Sequence, residues 1–387
     1  MTLKKEKLLK LPHILGLVIG SSMVISSLLL MFIFSQKTEE VLPENTLKSS
    51  SINDLVTREN PNLQKERSKI EEKKEIVLKE SGWIPNWAFD LGFESLKNNK
   101  GIIETVNPVL YTVDTGGNVV SRGVPEVSII ELVEYSSKNS IKVIPTVGSF
   151  DFDAMGVAFA SNDSYAGHIN TILSEIDKYG FDGIDIDYEM INVEQKEFFL
   201  NFLKDLKQEL KQRNKILSIS VFPQWENALY SENQETREVQ EYSIIGEIAD
   251  EIRIMAYDYT VQSSKEPGPI APVSWVRDIL AYATKKIPPE KIWLGVNLYG
   301  YQWSSDRTIA FTYTTVKNSI IDSTNINHTY SMDTGEGYAE FGCDDGFLCK
   351  AYFQLPEGIK LKREIAKEYK IAGVAYWRLG GELDILK

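Results

Sequence analysis

Residues 181–190 read FDGIDIDYEM, which places Asp185, Asp187 and Glu189 at every second position, with Asp182 just ahead of them. Side chains alternate faces along a strand, so these three carboxylates share one side while Ile184, Ile186 and Tyr188 share the other. Carboxylates crowded onto one side of an apolar strand cannot all stay comfortably ionised, so some must share protons or be held neutral. A neutral acid at Glu189 could protonate a leaving oxygen, while Asp187, one pleat deeper, could hold it or exchange a proton with Asp185. The plainer reading is a solvent-facing acidic edge, and the rest of the chain argues against it.

Short apolar or β-branched runs recur along the sequence, separated by amphipathic segments of helical period. There are eight: residues 82–87, 108–113, 142–148, 183–189, 217–223, 252–257, 292–297 and 372–377. The clearest helix between them, in residues 192–212, sets Phe198, Phe199, Phe202, Leu203 and Leu206 on one side. Eight such units predict an α/β chain folded as a (β/α)8, or TIM, barrel, and no G-x-G-x-x-G follows the first run to suggest a dinucleotide fold. In a barrel the fourth run aims its acids inward and puts Glu189 at the C-terminal rim, where such folds build their sites.

Two irregularities accompany the rhythm. Residues 302–356 are too long and too polar for a plain crossover and predict a small β-rich insertion after the seventh strand. Only ten residues follow Trp377, too few for an eighth helix, and the helical end of the preceding segment, residues 64–80, is expected to cover that gap.

Ahead of the barrel, residues 11–34 contain no Asp, Glu, Lys or Arg. At about 1.5 Å per residue they can cross a bilayer core of about 30 Å, which predicts one transmembrane helix. Lys4, Lys5, Lys7 and Lys10 form a basic tail in residues 1–10, so the N-terminus is expected in the cytoplasm and the remainder outside the cell membrane. A cleaved signal peptide is the alternative. Residues 35–80 lack Trp, Tyr and Phe beyond Gln36 and read as a polar stalk, leaving residues 81–387 as the folded domain. A net charge of −13 argues against nucleic acid as a partner. The three histidines, His13, His168 and His328, have no metal-site spacing, so any metal chemistry would rest on carboxylates alone. Cys343 and Cys349, outside, could close a short disulfide loop or remain free thiols.

Asp182, Asp185, Asp187 and Glu189 reproduce the D-x-x-D-x-D-x-E signature of glycoside hydrolase family 18, the chitinase-like barrels, and residues 81–387 resemble that family. MAYDY, residues 255–259, is similar to its M-x-Y-D element, and Trp377 stands where the family keeps a tryptophan floor. LYGYQW (298–303) and GVAYWRLGGE (373–382) look most like the peptidoglycan-directed branch that includes spore-cortex-lytic N-acetylglucosaminidases. The resemblance implies retaining hydrolysis of β-1,4-linked N-acetylglucosamine glycans, with the substrate's 2-acetamido carbonyl as nucleophile and no cofactor or metal. It implies Glu189 as general acid and then base, Asp187 orienting the acetamido group, Asp185 supporting Asp187, and Tyr257 donating to the acetamido oxygen. Asp258 would contact the sugar, Trp377 would stack beneath it, and Asp182 joins the substrate-binding set. Trp83, Trp87, Trp225 and Trp303, near strand ends, are further candidates for sugar platforms, although large aromatics also fill cores.

The chain departs from the family at TVGSFD (146–151), where S-x-G-G is usual, and it has no dedicated wall-binding repeats. Three rival readings stand beside the hydrolase. A catalytically inactive, lectin-like barrel would usually lose the acid, which is retained here. A glycosyltransferase holding metal through D-x-D would place that motif in a loop beside a phosphate-cradling glycine turn. A membrane-tethered scaffold would leave the acidic strand unexplained.

Overall fold

In a computed structural model the described residues are 77–226, 234–305, 307–343, 346–382 and 384–387. The expected basic tail, the transmembrane helix (11–34) and all of the stalk before Val77 lie outside them. Among the described residues no helix is long and apolar enough to cross a membrane.

The described residues form fifteen strands: β1 (Lys79–Pro85), β2 (Thr105–Val113), β3 (Val119–Ser121), β4 (Lys142–Val143), β5 (Thr146–Ser149), β6 (Gly183–Tyr188), β7 (Ile216–Val221), β8 (Glu251–Ile254), β9 (Ile292–Asn297), β10 (Tyr299–Trp303), β11 (Thr308–Thr312), β12 (His328–Ser331), β13 (Glu336–Gly342), β14 (Leu348–Phe353) and β15 (Gly373–Trp377). Eight of them, in the order β1, β2, β5, β6, β7, β8, β9, β15, pair in parallel and close when β15 meets β1. This is the expected (β/α)8 barrel. Each predicted run contributes one barrel strand, although the third is broken at Ile144 and Pro145 into β4 and β5. Proline has no N–H for the ladder, and the Pro145 carbonyl instead accepts the Asp185 N–H at 2.9 Å.

The sheet separates two cores. Outside it, Ile184, Ile186 and Tyr188 of β6 are buried against the surrounding helices with Phe181, Phe199 and Phe202. Inside it, Trp83, Val109, Trp293 and Ala375 pack across the barrel axis. Helix Lys196–Gln212 buries Phe199, Leu200, Phe202, Leu203, Leu206 and Leu210, the spacing of one helical face. Phe198 is expected on that face and points to solvent instead, because about 100° per residue sets it on the flank of the stripe centred on Phe199, Leu203, Leu206 and Leu210.

The barrel begins earlier than the sequence boundary at residue 81 suggests. Lys79 and Glu80 already pair with Gly373 and Val374 of β15. The Glu80 carboxylate binds Arg363 at 2.6 Å and the Tyr376 hydroxyl at 2.8 Å. The end of the predicted helical cover is therefore strand, and residues 64–76 of that expectation lie outside the described residues. The insertion also starts slightly earlier, at Tyr299, and forms an antiparallel sheet in the order β11, β10, β14, β13, β12. Cys343 and Cys349 are joined by a disulfide across the β13–β14 turn.

This lobe is pinned to the barrel. The buried carboxylate of Glu336 on β13 accepts the backbone N–H groups of Ile270 at 2.8 Å and Ala271 at 2.6 Å. Lys362, equally buried on the helix Pro356–Glu368, lies 3.9 Å from it. Burial drives the Lys362 ammonium down to about 8, although Glu336 opposes the shift.

Candidate active site

Because β6 alternates, Asp185 and Asp187 face the barrel interior and Glu189 emerges just beyond the strand at its C-terminal rim. The Glu189 N–H is tied to the Ser149 carbonyl at 2.9 Å, which fixes the carboxylate's approach. Asp185 is fully buried within a shell of donors. Its Oδ1 accepts from Ser218 Oγ at 2.6 Å. Its Oδ2 accepts from Thr146 Oγ1 at 2.9 Å, Ser220 Oγ at 3.0 Å and Trp83 Nε1 at 3.4 Å.

Asp187, next on the same face, has an Oδ1 that is buried without a hydrogen-bond partner among the described residues. Burial, and then the charges of Glu189 and Asp185, push its carboxyl well above the usual range. Burial and Asp258 push Glu189 up to about 7. A carboxylic acid with that value is protonated in a large fraction of molecules near neutrality and can lose its proton on demand. The Tyr257 hydroxyl is raised by burial and then by Asp187, Asp258, Glu189 and Asp185, so it remains a donor. Asp258 takes left-handed backbone, φ 59°, which turns its carboxylate toward β10. There Tyr301 donates to Oδ1 at 2.8 Å and Tyr299 donates to the same atom. Burial raises Asp258 while those two phenols oppose the rise.

Asp187, Glu189, Tyr257 and Asp258 open into one cleft of about 1020 Å³, with Trp83, Trp87, Trp225 and Trp377 in its walls. Trp377 meets Trp83 edge-on at 6.0 Å and Trp87 at 6.4 Å between ring centroids. Trp87 is 62% exposed whereas Trp83 is 2% exposed, so only the former offers a broad open ring. Trp225 stands edge-on to Trp275 across 5.6 Å.

Two expected site residues lie elsewhere. Asp182 precedes β6 at the opposite end of the barrel, where its Oδ2 accepts the Val143 N–H at 2.8 Å; it ties strands together. Trp303 is buried against Ile270 and Tyr301 and donates its indole N–H to Ser264 O at 2.9 Å. It supports the loop that forms the cleft wall from behind.

Sequence reasoning missed the two tyrosines that hold Asp258 and the hydroxyls of Thr146, Ser218 and Ser220 around Asp185. The period-two spacing of Tyr299 and Tyr301 was a readable signal that both face one side of a strand. The hydroxyls had a weaker one, since a small polar residue inside an apolar strand needs a buried partner. In TVGSFD, Gly148 leaves room for Phe150, because a Cβ there would sit 2.7 Å from that ring, and Phe150 joins the cleft wall.

A parallel eight-stranded barrel with a graded line of carboxylates at the C-terminal rim and rings around a long cleft defines a barrel enzyme site of the acid–base kind. The profile of glycosyl hydrolases family 18 matches residues 91–382, and the chain belongs to that family. The cortical fragment-lytic enzyme of Bacillus anthracis is 27% identical over 240 residues, covering 60% of this chain and 54% of that protein. The chain thus spans about half the length of that curated relative. Among solved structures, a chitinase from Chromobacterium violaceum has a TM-score of 0.72 at 20% identity, covering 80% of this chain and 96% of its own. The spore cortex-lytic enzyme SleL of Bacillus cereus has a TM-score of 0.69 at 20% identity, covering 80% of this chain and 73% of its own. At that identity the two structures speak for the fold.

Proposed function

We propose that the protein is a membrane-anchored, retaining β-N-acetylglucosaminidase that hydrolyses peptidoglycan or a chitin-like glycan with the help of the substrate's own acetamido group. The observation that carries this reading is Glu189, raised to about 7 at the mouth of the cleft, above the buried Asp187. Glu189 donates its proton to the glycosidic oxygen as the acetamido carbonyl oxygen closes on the anomeric carbon. Asp187 holds the acetamido group in line and balances the charge that develops on it, with Tyr257 donating to its oxygen. The Glu189 carboxylate then takes a proton from water attacking the same carbon, and the configuration is retained. Trp377 gives the sugar a floor, and Asp258 offers a further polar contact.

A relative named for lysis of cortical fragments supports a polymeric amino-sugar substrate. The apolar run at residues 11–34 supports the anchor, with the barrel outside the cell. A disordered tether of about 45 residues would let the barrel range roughly 35 to 40 Å from the surface.

The test is mass spectrometry of products from the full chain and its Glu189→Gln variant, each incubated with purified peptidoglycan and with chitin oligosaccharides. Fragments with reducing-end N-acetylglucosamine, absent with the variant, are expected. Saturable binding of either glycan with no fragments from either would replace the hydrolase with the lectin-like reading.

A further inference from the structure

Below Asp185 the barrel holds a charge for which the chemistry above has no use. Arg253 on β8 is fully buried, lies over the Trp293 ring at 5.0 Å and forms an ion pair with Glu251 at 2.8 Å. Its Nη1 also donates to Ser218 Oγ, and that hydroxyl donates to Asp185 Oδ1 at 2.6 Å. Its Nε and Nη2 have no hydrogen-bond partner among the described residues. A buried guanidinium with unanswered donors is unfavourable for the fold, and apolar side chains of similar volume often replace buried ion pairs without loss. Stability alone therefore does not account for Arg253.

The direction of the hydrogen bonds does. A guanidinium can only donate, so Ser218 accepts from below and is left with its proton aimed at Asp185. The Trp83 indole is also a donor only, and it meets the other carboxylate oxygen. We infer that Arg253 is a positioning residue which, through Ser218, fixes Asp185 as the accepting member of the Asp185–Asp187 pair and leaves the shared proton on Asp187. Asp187 is the member that faces the cleft. The inference rests on the hydrolase reading above. Asp185 is faced by Asp187 on its own strand, Thr146 on β5, Ser218 and Ser220 on β7, and Trp83 on β1. Arg253 and its partner Glu251 face it from β8, with Glu189 and Tyr257 beyond Asp187. Glu251 offsets part of the Arg253 charge, so the oriented hydroxyl matters more than the bare cation.

The test compares pH profiles of kcat and kcat/KM for the full chain and its Arg253→Met, Ser218→Ala and doubly substituted variants, with Ser220→Ala beside them. Either single change should lower kcat about tenfold with KM altered less than about twofold, the loss expected for a hydrogen bond to a charged group. The acidic limb should move to higher pH by about half a unit or more, because the ionised form of the pair loses one of the donors that hold it. The double variant should be no worse than the poorer single one, since both act along one path, whereas Ser220→Ala, at a hydroxyl that reaches Asp185 without Arg253, should leave a further loss on adding Arg253→Met. A folded Arg253→Met protein with an unmoved acidic limb, or additive losses in the double variant, would overturn the inference. If Arg253→Met does not fold, Ser218→Ala keeps both charges and decides by the same limb. If the unsubstituted chain cleaves neither glycan, the hydrolase reading fails by itself. Carboxyl ¹³C NMR of aspartate-labelled protein, assigned with Asp187→Asn, then reads the pair directly. Ser218→Ala should move the Asp187 titration to lower pH, and an unchanged curve would overturn the relay.

Discussion

Trp83 on β1 donates its indole N–H to Oδ2 of Asp185 on β6 at 3.4 Å, across the barrel interior. The residue is therefore a partner of the carboxylate line, with little of its ring left for sugar. Trp83→Phe removes the donor and part of a buried ring, so kcat should fall about three- to tenfold and the melting temperature should drop with it. A large rise in KM with constant kcat would instead assign Trp83 to sugar stacking.

Glu189→Gln preserves shape and removes the exchangeable acid. Loss of a general acid–base group corresponds to a fall of about 10² to 10⁴ in kcat. Circular dichroism and glycan binding should stay close to those of the unsubstituted protein, and turnover within threefold of it would remove Glu189 from the role.

Turnover should depend on pH through the same residue. Glu189 must enter the reaction protonated, so the basic limb of the kcat/KM profile is expected near pH 7 and should be missing from the residual activity of Glu189→Gln. Stability follows with a definite sign. The folded carboxyl, at about 7, lies above its ordinary 4.5, so the native state holds more protons than the unfolded chain between those values. Its contribution is complete below about pH 4.5 and is lost as pH rises through about 7. Denaturant titration should therefore show Glu189→Gln gaining on the unsubstituted protein at pH 8 relative to pH 5.

Trp87 and Trp377 meet edge-on at 6.4 Å, but their contributions should separate. Trp87 is 62% exposed, so Trp87→Ala should leave thermal stability within about 0.5 kcal/mol, as surface substitutions usually do. It should raise KM about three- to tenfold if its open ring meets a sugar. Unchanged KM for short and long oligosaccharides alike would take Trp87 out of the binding surface.

Asp258 depends on Tyr299 and Tyr301 for its hydrogen bonds. Tyr301→Phe should lower kcat/KM about three- to tenfold, and the doubly substituted protein more, because each loss leaves a buried carboxylate less satisfied. Asp258→Asn should make the tyrosine substitutions nearly neutral, which a double-mutant cycle measures.

The fold was legible because its signals are periodic. Alternation told which side of β6 carries Asp185 and Asp187, and repeated apolar runs supplied every barrel strand. Pattern does not report neighbours from distant parts of the chain. Trp303 and Trp87 look equally available in sequence, yet one is sealed behind Ile270 and the other stands at the cleft mouth. Asp182 shares the spacing of the acidic signature but belongs to the opposite end of the barrel, where the Val143 N–H requires an acceptor. The hydroxyl shell of Asp185 comes from two neighbouring strands, β5 and β7, and became visible only when those strands lay beside β6.

The grip of Glu336 on Ile270 and Ala271 changes what the insertion is for. The stretch it holds runs back to Asp258 and Tyr259, and the Tyr259 N–H is bound by the Ile270 carbonyl at 2.8 Å. One side of the cleft therefore takes its shape from a residue 65 to 66 positions downstream of the stretch it grips, on a sheet outside the barrel. A trimmed barrel lacking β10 to β14 would lose Tyr299, Tyr301 and this clasp together. The catalytic unit is the barrel and lobe as one body, and that union sets the smallest piece of the chain from which a working site can be cut.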